Sequence, residues 1–523
     1  MRLLSAISFA SLLSATQALH VLVYLTASGK SHLNVANSLV DTLHKHGHTV
    51  DFLAPRLNPG LDVKIPNANR TWIIDNDYSE WKNAMKHVYS PFEKSTSSLL
   101  GQLFEFQSTF GPYANQIYTV CEKVLESPLL AEISSVKYDF ALVSNYDYCS
   151  PGIVHILGIR RFSFYGALPT IALSVIHGGF PELPLYHNNA VERRSQFPKS
   201  SLLGRTMDLV QSYAIRIIYS GYRQRYNSLF RQYKGHDFPD VGGIARNASF
   251  DYSLRHPLID IPRVTAHKIK HIGGMAMKRP GKLPEHLDSL LNQRKGTVLF
   301  SFGTMIPAVL IPEHVIQAFL QAFRMFPDYT FLWKLEGRQF PDVPNVVTTD
   351  WLPQTDLLYD SRVIAFISHM GSSSFTEVAY AGTPVVALPL QIDQFYNADC
   401  AIALGIGVRL DKTDLIVGTI KRALEEVLGD ESYSKRSAEL ARMMADYPET
   451  PERTFIESVE FAAAHNGLYE HLTPVGSEYS LIVQNGHDAV MLLLVLLISV
   501  LALVLALIAI VIRSVKSVKE KVE

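Results

Sequence analysis

The chain has 523 residues, of which 47% are hydrophobic and 19% are charged. That length exceeds one typical domain and predicts roughly two to four. Lys and Arg total 48 against 49 Asp and Glu, so no net basic field indicates a nucleic-acid partner. Three cysteines (Cys121, Cys149 and Cys400) are too few for a disulfide framework to carry the fold, and no C-x-x-C pair indicates zinc.

Both ends of the chain carry targeting features. Residues 1–18 combine a charged start, a short apolar run and small residues before position 19, which is typical of a cleaved signal peptide. Residues 489–512 are apolar apart from Ser499, long enough as a helix to cross a hydrocarbon layer of about 30 Å. The basic tail, residues 513–523, should remain cytosolic. These features predict a single-pass type I membrane protein with a lumenal body.

The tail also indicates a compartment. Lys519 and Lys521 lie five and three places from the C-terminus, which resembles the K-x-K-x-x retrieval signal of the endoplasmic reticulum. A short stop-transfer tail is the simpler interpretation of the same residues. The N-x-[ST] sequons at Asn69 and Asn247 fit a lumenal body and predict N-glycosylation there.

The body shows two successive strand and helix series. A strand (His20 to Leu25), a helix ending near Gly47 and a second strand form a βαβ opening. A Gly-, Pro- and Lys-rich linker starts at Gly273, and a second βαβαβ series follows it. We therefore expect an α/β protein with two facing Rossmann-like domains and one C-terminal transmembrane helix. The predicted segments are a signal peptide (1–18), an N-terminal Rossmann-like domain (19–275), a C-terminal Rossmann-like domain (276–465), a juxtamembrane segment (466–488), the transmembrane helix (489–512) and the tail (513–523).

An aromatic and basic stretch, residues 207–233, has apolar side chains at helical spacing. Two interpretations stay open. The apolar face packs into the core, or it rests on a membrane surface.

The loop "ASGKSH", residues 27–32, contains a Gly-Lys-Ser triplet that suggests a phosphate-binding loop. Such a loop needs a glycine five residues before Gly29, and that position is Tyr24. The phosphate interpretation is therefore disfavoured, and His32 becomes the chemically interesting residue of the loop. The "DND" at residues 75–77 lies in a polar turn, so we expect no metal there, nor at the alternating histidines of "HKHGH".

The most specific stretch runs from Phe366 to Gln394. A strand ends at His369, a turn follows at Gly371, and a helix begins among the next serines. The free N–H groups and dipole of a helix N-terminus favour an anion such as a diphosphate. Glu377 on that helix can accept two hydroxyls of a ribose.

Four motifs together resemble those of the UDP-glycosyltransferases, most closely the membrane-bound UDP-glucuronosyltransferases of animals. They are SFGT from Ser301, WLPQ from Trp351, H-x-G-x-x-S-x-x-E from His369 and P-x-x-x-x-P-x-x-x-D-Q ending at Gln394. The resemblance covers nearly the whole chain and implies a GT-B fold and a detoxification enzyme. It also implies that the N-terminal domain (19–275) binds the acceptor and the C-terminal domain (276–465) binds the UDP-sugar donor. One departure is Met370, where the family prefers a small residue.

The resemblance implies a role for each matching residue. Trp351 would stack on uracil beside Gln354, and Glu377 would hold the ribose. The diphosphate would be held by the SFGT and histidine turns, and the transferred sugar by Asp393 and Gln394. The residues implied for UDP-sugar binding are Ser301, Gly303, Thr304, Trp351, Gln354, His369, Gly371, Ser373, Glu377, Asp393 and Gln394.

The resemblance also makes His32 the general base, normally paired with an acidic residue after the strand "YDFALV". Here that position is Ser144, and the nearest acid is Asp147, three residues on. Two hypotheses stay open. Asp147 has replaced the missing partner, or His32 works with weaker support and the enzyme is slow or selective for acidic acceptors such as phenols.

The implied reaction is inverting transfer of a glucuronosyl or glucosyl group from a UDP-sugar to a hydroxyl of a small lipophilic acceptor, without metal or cofactor. One alternative is a catalytically silent binding protein that keeps the UDP-sugar fold. Another is a transferase acting on membrane lipids. Dimerisation is common among membrane enzymes of this family, and nothing in the sequence decides it.

Overall fold

The structure is a computed structural model that describes residues 18–77, 79, 92, 99–166, 174, 176, 201–262, 265–277, 280–304 and 306–522. Nearly all of the predicted signal peptide lies outside the described residues. Two fully parallel sheets organise the body, with helices between most successive strands. Strands buried on both faces are expected in such sheets and explain their continuous apolar runs.

The first sheet has seven strands in the order β3-β2-β1-β4-β5-β6-β7. Its order reverses between β1 and β4, where the carboxyl ends of the two strands form the crevice in which open α/β sheets bind ligands. The strands are β1 (His20–Tyr24), β2 (Thr49–Arg56), β3 (Arg70–Asp75), β4 (Phe140–Ser144), β5 (Phe162–Gly166), β6 (Asp251–Ser253) and β7 (Ile269–His271).

Helices cover both faces of this sheet. The helix after β1 buries one apolar stripe, with Leu33, Ala36, Leu39, Val40 and Leu43 all buried. It ends at Lys45, and the turn that follows contains Gly47, whose positive φ of 85° favours glycine. The described helices are α1 (Lys30–Lys45), α2 (Leu99–Glu126), α3 (Leu129–Ser134), α4 (Cys149–Ile156), α5 (Leu202–Lys234) and α6 (Val241–Arg246), followed by a 3₁₀ turn (Pro257–Ile259).

The second sheet has six strands in the order β10-β9-β8-β11-β12-β13. They are β8 (Gly296–Ser301), β9 (Tyr329–Lys334), β10 (Val346–Thr349), β11 (Val363–Ser368), β12 (Val385–Ala387) and β13 (Gly407–Arg409). The helices of this half are α7 (Glu285–Leu291), α8 (Glu313–Phe323), α9 (Gln354–Leu358), α10 (Ser372–Ala381), α11 (Gln394–Ala403), α12 (Val417–Gly429) and α13 (Glu431–Ala445), with a 3₁₀ turn at Ala308–Leu310.

The next helix, α14 (Pro451–Ala464), returns to the first half of the chain. Its buried Phe455, Val459 and Ala462 belong to the core beneath the seven-stranded sheet. The Ser458 hydroxyl lies 2.9 Å from the Tyr252 hydroxyl of β6. In packing terms this helix therefore belongs to the N-terminal core, although the sequence places it after the second sheet.

A disulfide joins Cys121 of α2 to Cys149 at the first residue of α4. Both sulfur-bearing residues are buried in the N-terminal core, and the third cysteine, Cys400, is buried and free. The sequence excluded a disulfide framework but did not identify this single bridge. Disulfides persist in oxidising compartments, so the bridge fits a lumenal body.

Two short helices, α15 (Leu468–Leu472) and α16 (Leu481–Gln484), lead to the terminal helix α17 (His487–Val522). Its 36 residues include an apolar window with a mean hydropathy of 3.5, none of it buried against the body. By length and composition this helix can cross a membrane, as predicted for residues 489–512.

The two ends of helix α5 differ in how far their apolar side chains are buried. Near its C-terminal end Tyr226, Leu229 and Phe230 are buried in the N-terminal core. Nearer its start Val210 and Ile217 are exposed, the latter by 72%. The core interpretation therefore holds for one end, and the membrane interpretation stays a prediction for the other.

Candidate active site

The two turns that are predicted to bind phosphate lie side by side because their strands are neighbours. Strand β11 pairs with β8 in a register that sets Ser368 opposite Ser301. The SFGT turn and the histidine turn therefore leave the same edge of the sheet together. The Ser301 hydroxyl accepts a hydrogen bond from the Gly303 amide at 3.1 Å, which fixes the first turn.

The His369 ring is buried between two glycines. A Cβ on Gly303 would lie 2.8 Å from its Cε1, and one on Gly371 would lie 2.5 Å from its Nε2. Its Nδ1 is buried and has no hydrogen-bond partner in the part of the chain that the structure describes. Burial lowers the pKa of His369 to about 4; a hydrogen bond to the Ser301 backbone opposes that shift, and the Lys334 charge adds to it. A neutral imidazole with an unpaired buried nitrogen fits a site that a phosphate oxygen completes.

Met370 adopts a left-handed backbone conformation with φ of 63°, unusual for a residue other than glycine. Its side chain is fully buried in the core that includes Phe375. Its carbonyl accepts a hydrogen bond from Asn397 Nδ2 at 2.7 Å. The large side chain at this position therefore points into the core, and the core accommodates the departure from the family pattern.

The N-terminus of α10 has no side-chain cap. Ser373 in its first turn and Thr304 in the neighbouring turn are both exposed. Lys334, at the end of β9, donates from Nζ to the Gly303 carbonyl at 3.0 Å and pairs with Glu336. The site thus has a helix start without a side-chain cap, two exposed hydroxyls and a cation, Lys334, that the sequence analysis did not identify. Lys334 is the last residue of β9 and lies on the same edge of the sheet as the two turns, and this position could have identified it from the sequence.

The predicted nucleoside residues come together. Glu377 accepts hydrogen bonds from Gln354 Nε2 and, at 2.8 Å, from the Thr355 hydroxyl. Burial raises the pKa of Glu377, and these two hydrogen bonds oppose the rise. Trp351 is 66% exposed, so a face of its ring is open to a base.

Asp393 and Gln394 follow β12 and are both buried. Gln394 Oε1 accepts from the amides of Leu390 and Gln391 at 2.9 and 3.0 Å. Asp393 accepts from Asn397 Nδ2 at 2.9 Å. Burial raises the pKa of Asp393 to about 6; the Arg255 charge and the Asn397 hydrogen bond oppose the rise.

Arg255 comes from the N-terminal half and was not identified in the sequence. It is fully buried, donates from Nη2 to Asn397 Oδ1, and lies 5.2 Å from the Phe375 ring centroid. Its Nε and Nη1 have no hydrogen-bond partner among the described residues. Because the contact spans 142 positions, no local pattern signals it.

The other half of the candidate site is His32, in the first turn of α1. The ring is half-buried, its Nδ1 lies 3.2 Å from the Ser28 hydroxyl, and it stacks on Tyr146 with ring centroids 4.9 Å apart. Burial lowers the pKa of His32 to about 4. The imidazole is therefore neutral at physiological pH and can accept a proton.

Asp147 is buried, and the structure gives its carboxylate other partners. Oδ2 accepts from the Thr26 hydroxyl at 2.8 Å, and Oδ1 accepts from the Cys149 and Ser150 amides at 2.7 and 3.0 Å. Burial raises the pKa of Asp147, and these three hydrogen bonds oppose the rise. Ser144 is also buried, and its hydroxyl accepts from the Thr26 amide at 3.4 Å.

The remaining candidates have separate environments. Asn247 and Asn69 are both exposed, and Asn69 donates to Asp51 at 2.9 Å. Asp75 of the "DND" turn forms an ion pair with Arg56. Within the described ranges, no group of three or more His, Cys, Asp or Glu residues is arranged to hold a metal ion.

Comparison with known proteins is consistent across the chain. The family described as "UDP-glucoronosyl and UDP-glucosyl transferase" matches residues 20–522. UDP-glucosyltransferase 2 of Dactylopius coccus is 27% identical, over 94% of this chain and 93% of that protein. UDP-glucuronosyltransferase 1A6 of Mus musculus is 24% identical, over 89% and 87%.

Solved structures share the fold. The glycotransferase of kitacinnamycin superposes with a TM-score of 0.57 at 16% identity, covering 88% of this chain and all of that one. The UGT71G1 structure of Medicago truncatula complexed with UDP-glucose gives 0.56 at 14% identity, covering 86% and 99%. The two parallel sheets therefore form a GT-B fold. With the donor-site motifs assembled at one sheet edge and the family matched almost end to end, the chain belongs to the UDP-glucuronosyl and UDP-glucosyl transferases and is a glycosyltransferase.

Proposed function

We propose that this enzyme transfers a glucuronosyl or glucosyl group from its UDP conjugate to a hydroxyl of a small lipophilic acceptor, with inversion and with His32 as the general base. The observation that supports the donor most directly is His369, whose buried Nδ1 lacks a partner and whose ring lies against two glycines beside an uncapped helix. Uncapped amides and a buried donor favour a diphosphate.

The reaction follows from the two half-sites. The acceptor O–H gives its proton to His32 Nε2 while the oxygen forms a bond to the anomeric carbon from the face opposite UDP. The bond from that carbon to the phosphate oxygen breaks, and UDP leaves with the electron pair. The helix amides and His369 stabilise the developing negative charge, and the proton on His32 passes to solvent. The chain's own groups balance this step without a metal.

The donor roles divide among the remaining residues. Trp351 stacks on uracil beside Gln354, and Glu377 accepts the ribose hydroxyls. Asp393 and Gln394 contact the transferred sugar. The diphosphate is held by the residues of the two turns and the helix start: Ser301, Gly303, Thr304, His369, Gly371 and Ser373.

We assign the enzyme to the membrane of the endoplasmic reticulum, with its body in the lumen. The Cys121–Cys149 disulfide suits an oxidising lumen, and the exposed Asn69 and Asn247 are sequon sites on the same body. The apolar α17 spans the bilayer and leaves the basic tail in the cytosol.

The test is UDP release by the full-length chain in detergent, with UDP-glucuronate and UDP-glucose each offered with a simple phenol. His32→Ala should abolish turnover and retain UDP binding. The exposed His314 on α8 provides the matched control, since His314→Ala removes a surface imidazole that has no proposed role and should retain turnover. Equal turnover in the native chain and His32→Ala would refute the assigned base.

A second function, a binding protein that holds UDP-sugars without transferring them, is favoured by one observation. Ser144 stands where the family has an acid, and Asp147 is engaged elsewhere. Measurable UDP binding with no UDP release from any acceptor, including membrane lipids, would support it over the transferase. Release only with lipid acceptors would indicate a lipid-directed enzyme.

A further inference from the structure

The proposed base, His32, has a hydroxyl within hydrogen-bond distance of its Nδ1 instead of a carboxylate. Ser28 precedes α1, is buried, and places its Oγ 3.2 Å from His32 Nδ1. The ring of Tyr146 stacks on the His32 imidazole with an interplanar angle of 16°. These two contacts fix both the plane of the ring and the direction of Nδ1.

Asp147 is held away from this role by its own bonds. Three donors occupy its two oxygens, namely the Thr26 hydroxyl and the amides of Cys149 and Ser150. Cys149 is in turn anchored to α2 by its disulfide with Cys121. Freeing the carboxylate would leave buried amides unpaired at the start of α4, a loss of about 1–3 kcal/mol for each unsatisfied group.

We propose that Ser28 is the positioning residue of the catalytic histidine, and that the acceptors of this enzyme are therefore acidic hydroxyls, phenols in preference to aliphatic alcohols. This inference rests on the proposed transferase function. With Nδ1–H donating to the Ser28 hydroxyl, Nε2 is the unprotonated nitrogen and faces the acceptor as a base.

The acceptor class follows from what a hydroxyl does not supply. A carboxylate at Nδ1 fixes the tautomer and also stabilises the imidazolium that forms during proton transfer. A serine hydroxyl fixes the tautomer but carries no charge, so the imidazolium gains little from it. The ease of proton transfer is then set mainly by the acceptor. The rate of sugar transfer should therefore depend steeply on the acidity of the acceptor O–H.

Among the titratable groups around His32, Tyr146 contacts the ring and Asp147 is turned to Thr26. Burial is the cause of the low pKa of His32, with no charged group acting on it appreciably. The acid limb of the rate should therefore lie well below the ordinary histidine range, in agreement with a base that lacks a carboxylate partner.

The experiment uses the full-length chain in detergent with substituted phenols of graded acidity and one aliphatic alcohol. Ser28→Ala should lower kcat about tenfold, because orientation of the base is lost, while the KM values for donor and acceptor change little. Ser38→Ala is the matched control, since Ser38 lies on α1, the helix that carries His32, and its hydroxyl donates to the Val35 carbonyl at 2.8 Å. It should match the native chain.

A gain-of-function variant separates positioning from folding. Ser144→Asp restores a carboxylate at the family position; it should raise the acid limb of kcat toward the usual histidine range and flatten the dependence of rate on acceptor acidity. The inference is overturned if Ser28→Ala retains native kcat and pH profile, or if Asp147→Asn moves the acid limb and Ser28→Ala does not. It is also overturned if the native chain uses the aliphatic alcohol as well as the phenols. Absence of any turnover by the native chain, despite UDP binding, refutes the proposed function instead.

Discussion

Arg255 of the N-terminal half donates a hydrogen bond from Nη2 to Asn397 Oδ1 in the donor-binding half. Asn397 in turn donates to Asp393 Oδ2 and to the Met370 carbonyl. A buried cation therefore reaches the proposed sugar-binding carboxylate and the phosphate turn through one amide. The contact joins the two halves of the enzyme at the proposed donor site.

Removing the Arg255 guanidinium should weaken donor binding. In Arg255→Met the positive charge that opposes protonation of Asp393 is lost, and Asn397 Oδ1 loses a charged donor, together about 1.5–3 kcal/mol. We expect a lower melting temperature and a KM for the UDP-sugar raised at least tenfold. Arg161→Met is the control, because Arg161 also donates to a residue distant in sequence, the Ala463 carbonyl, but that contact lies on α14 in the N-terminal core and not at the donor turns. A donor KM that changes equally in both variants would contradict a specific role for Arg255.

Donor binding should weaken in mild acid. Burial raises the pKa of Asp393 to about 6, so lowering the pH through that value protonates the carboxylate and removes an acceptor for sugar hydroxyls. His32 and His369 stay neutral in the same range, since burial lowers the pKa of each to about 4. The KM for the UDP-sugar, measured between pH 5 and 8, should rise toward the acid end. Asp393→Asn should show a raised but pH-independent KM; an unchanged slope in that variant would assign the titration to another group.

The glycines around His369 should be required for their size. In Gly371→Ala the new methyl would lie 2.5 Å from His369 Nε2, too close for the ring to keep its place. In Gly303→Ala the methyl meets Cε1 at 2.8 Å, and φ of 72° adds strain of about 1 kcal/mol. We expect UDP affinity, measured by calorimetry, to fall at least tenfold in each. Gly418→Ala, a helical glycine with open space around it, should bind UDP like the native chain.

The sequence predicted the features that local patterns determine. The apolar strands β1, β8 and β11 follow from nearly continuous runs of buried residues, and the turns after β8 and β11 each contain a glycine. The three-residue strands β6 and β7 have no such run, because so short a segment shows no periodicity. Arg255 and Asn397 meet across 142 positions, and a single sequence gives no signal for contacts of that separation. Ser28 was overlooked because the family pattern directed attention to an acid after β4.

The disulfide is a further feature that counting cysteines could not identify, and it yields the last prediction. Three cysteines allow three pairings, and only the packing of α2 against the start of α4 selects Cys121 with Cys149. In the unreduced, denatured protein we expect one reactive thiol per chain, from Cys400, and three after reduction. The paired variant Cys121→Ala/Cys149→Ala should lose about 3–4 kcal/mol of stability from the freed loop. The same variant should increase local opening of the segment that holds Asp147. Faster hydrogen exchange at the backbone amides of positions 149 and 150 would show this. Three reactive thiols before reduction would show that the bridge does not form.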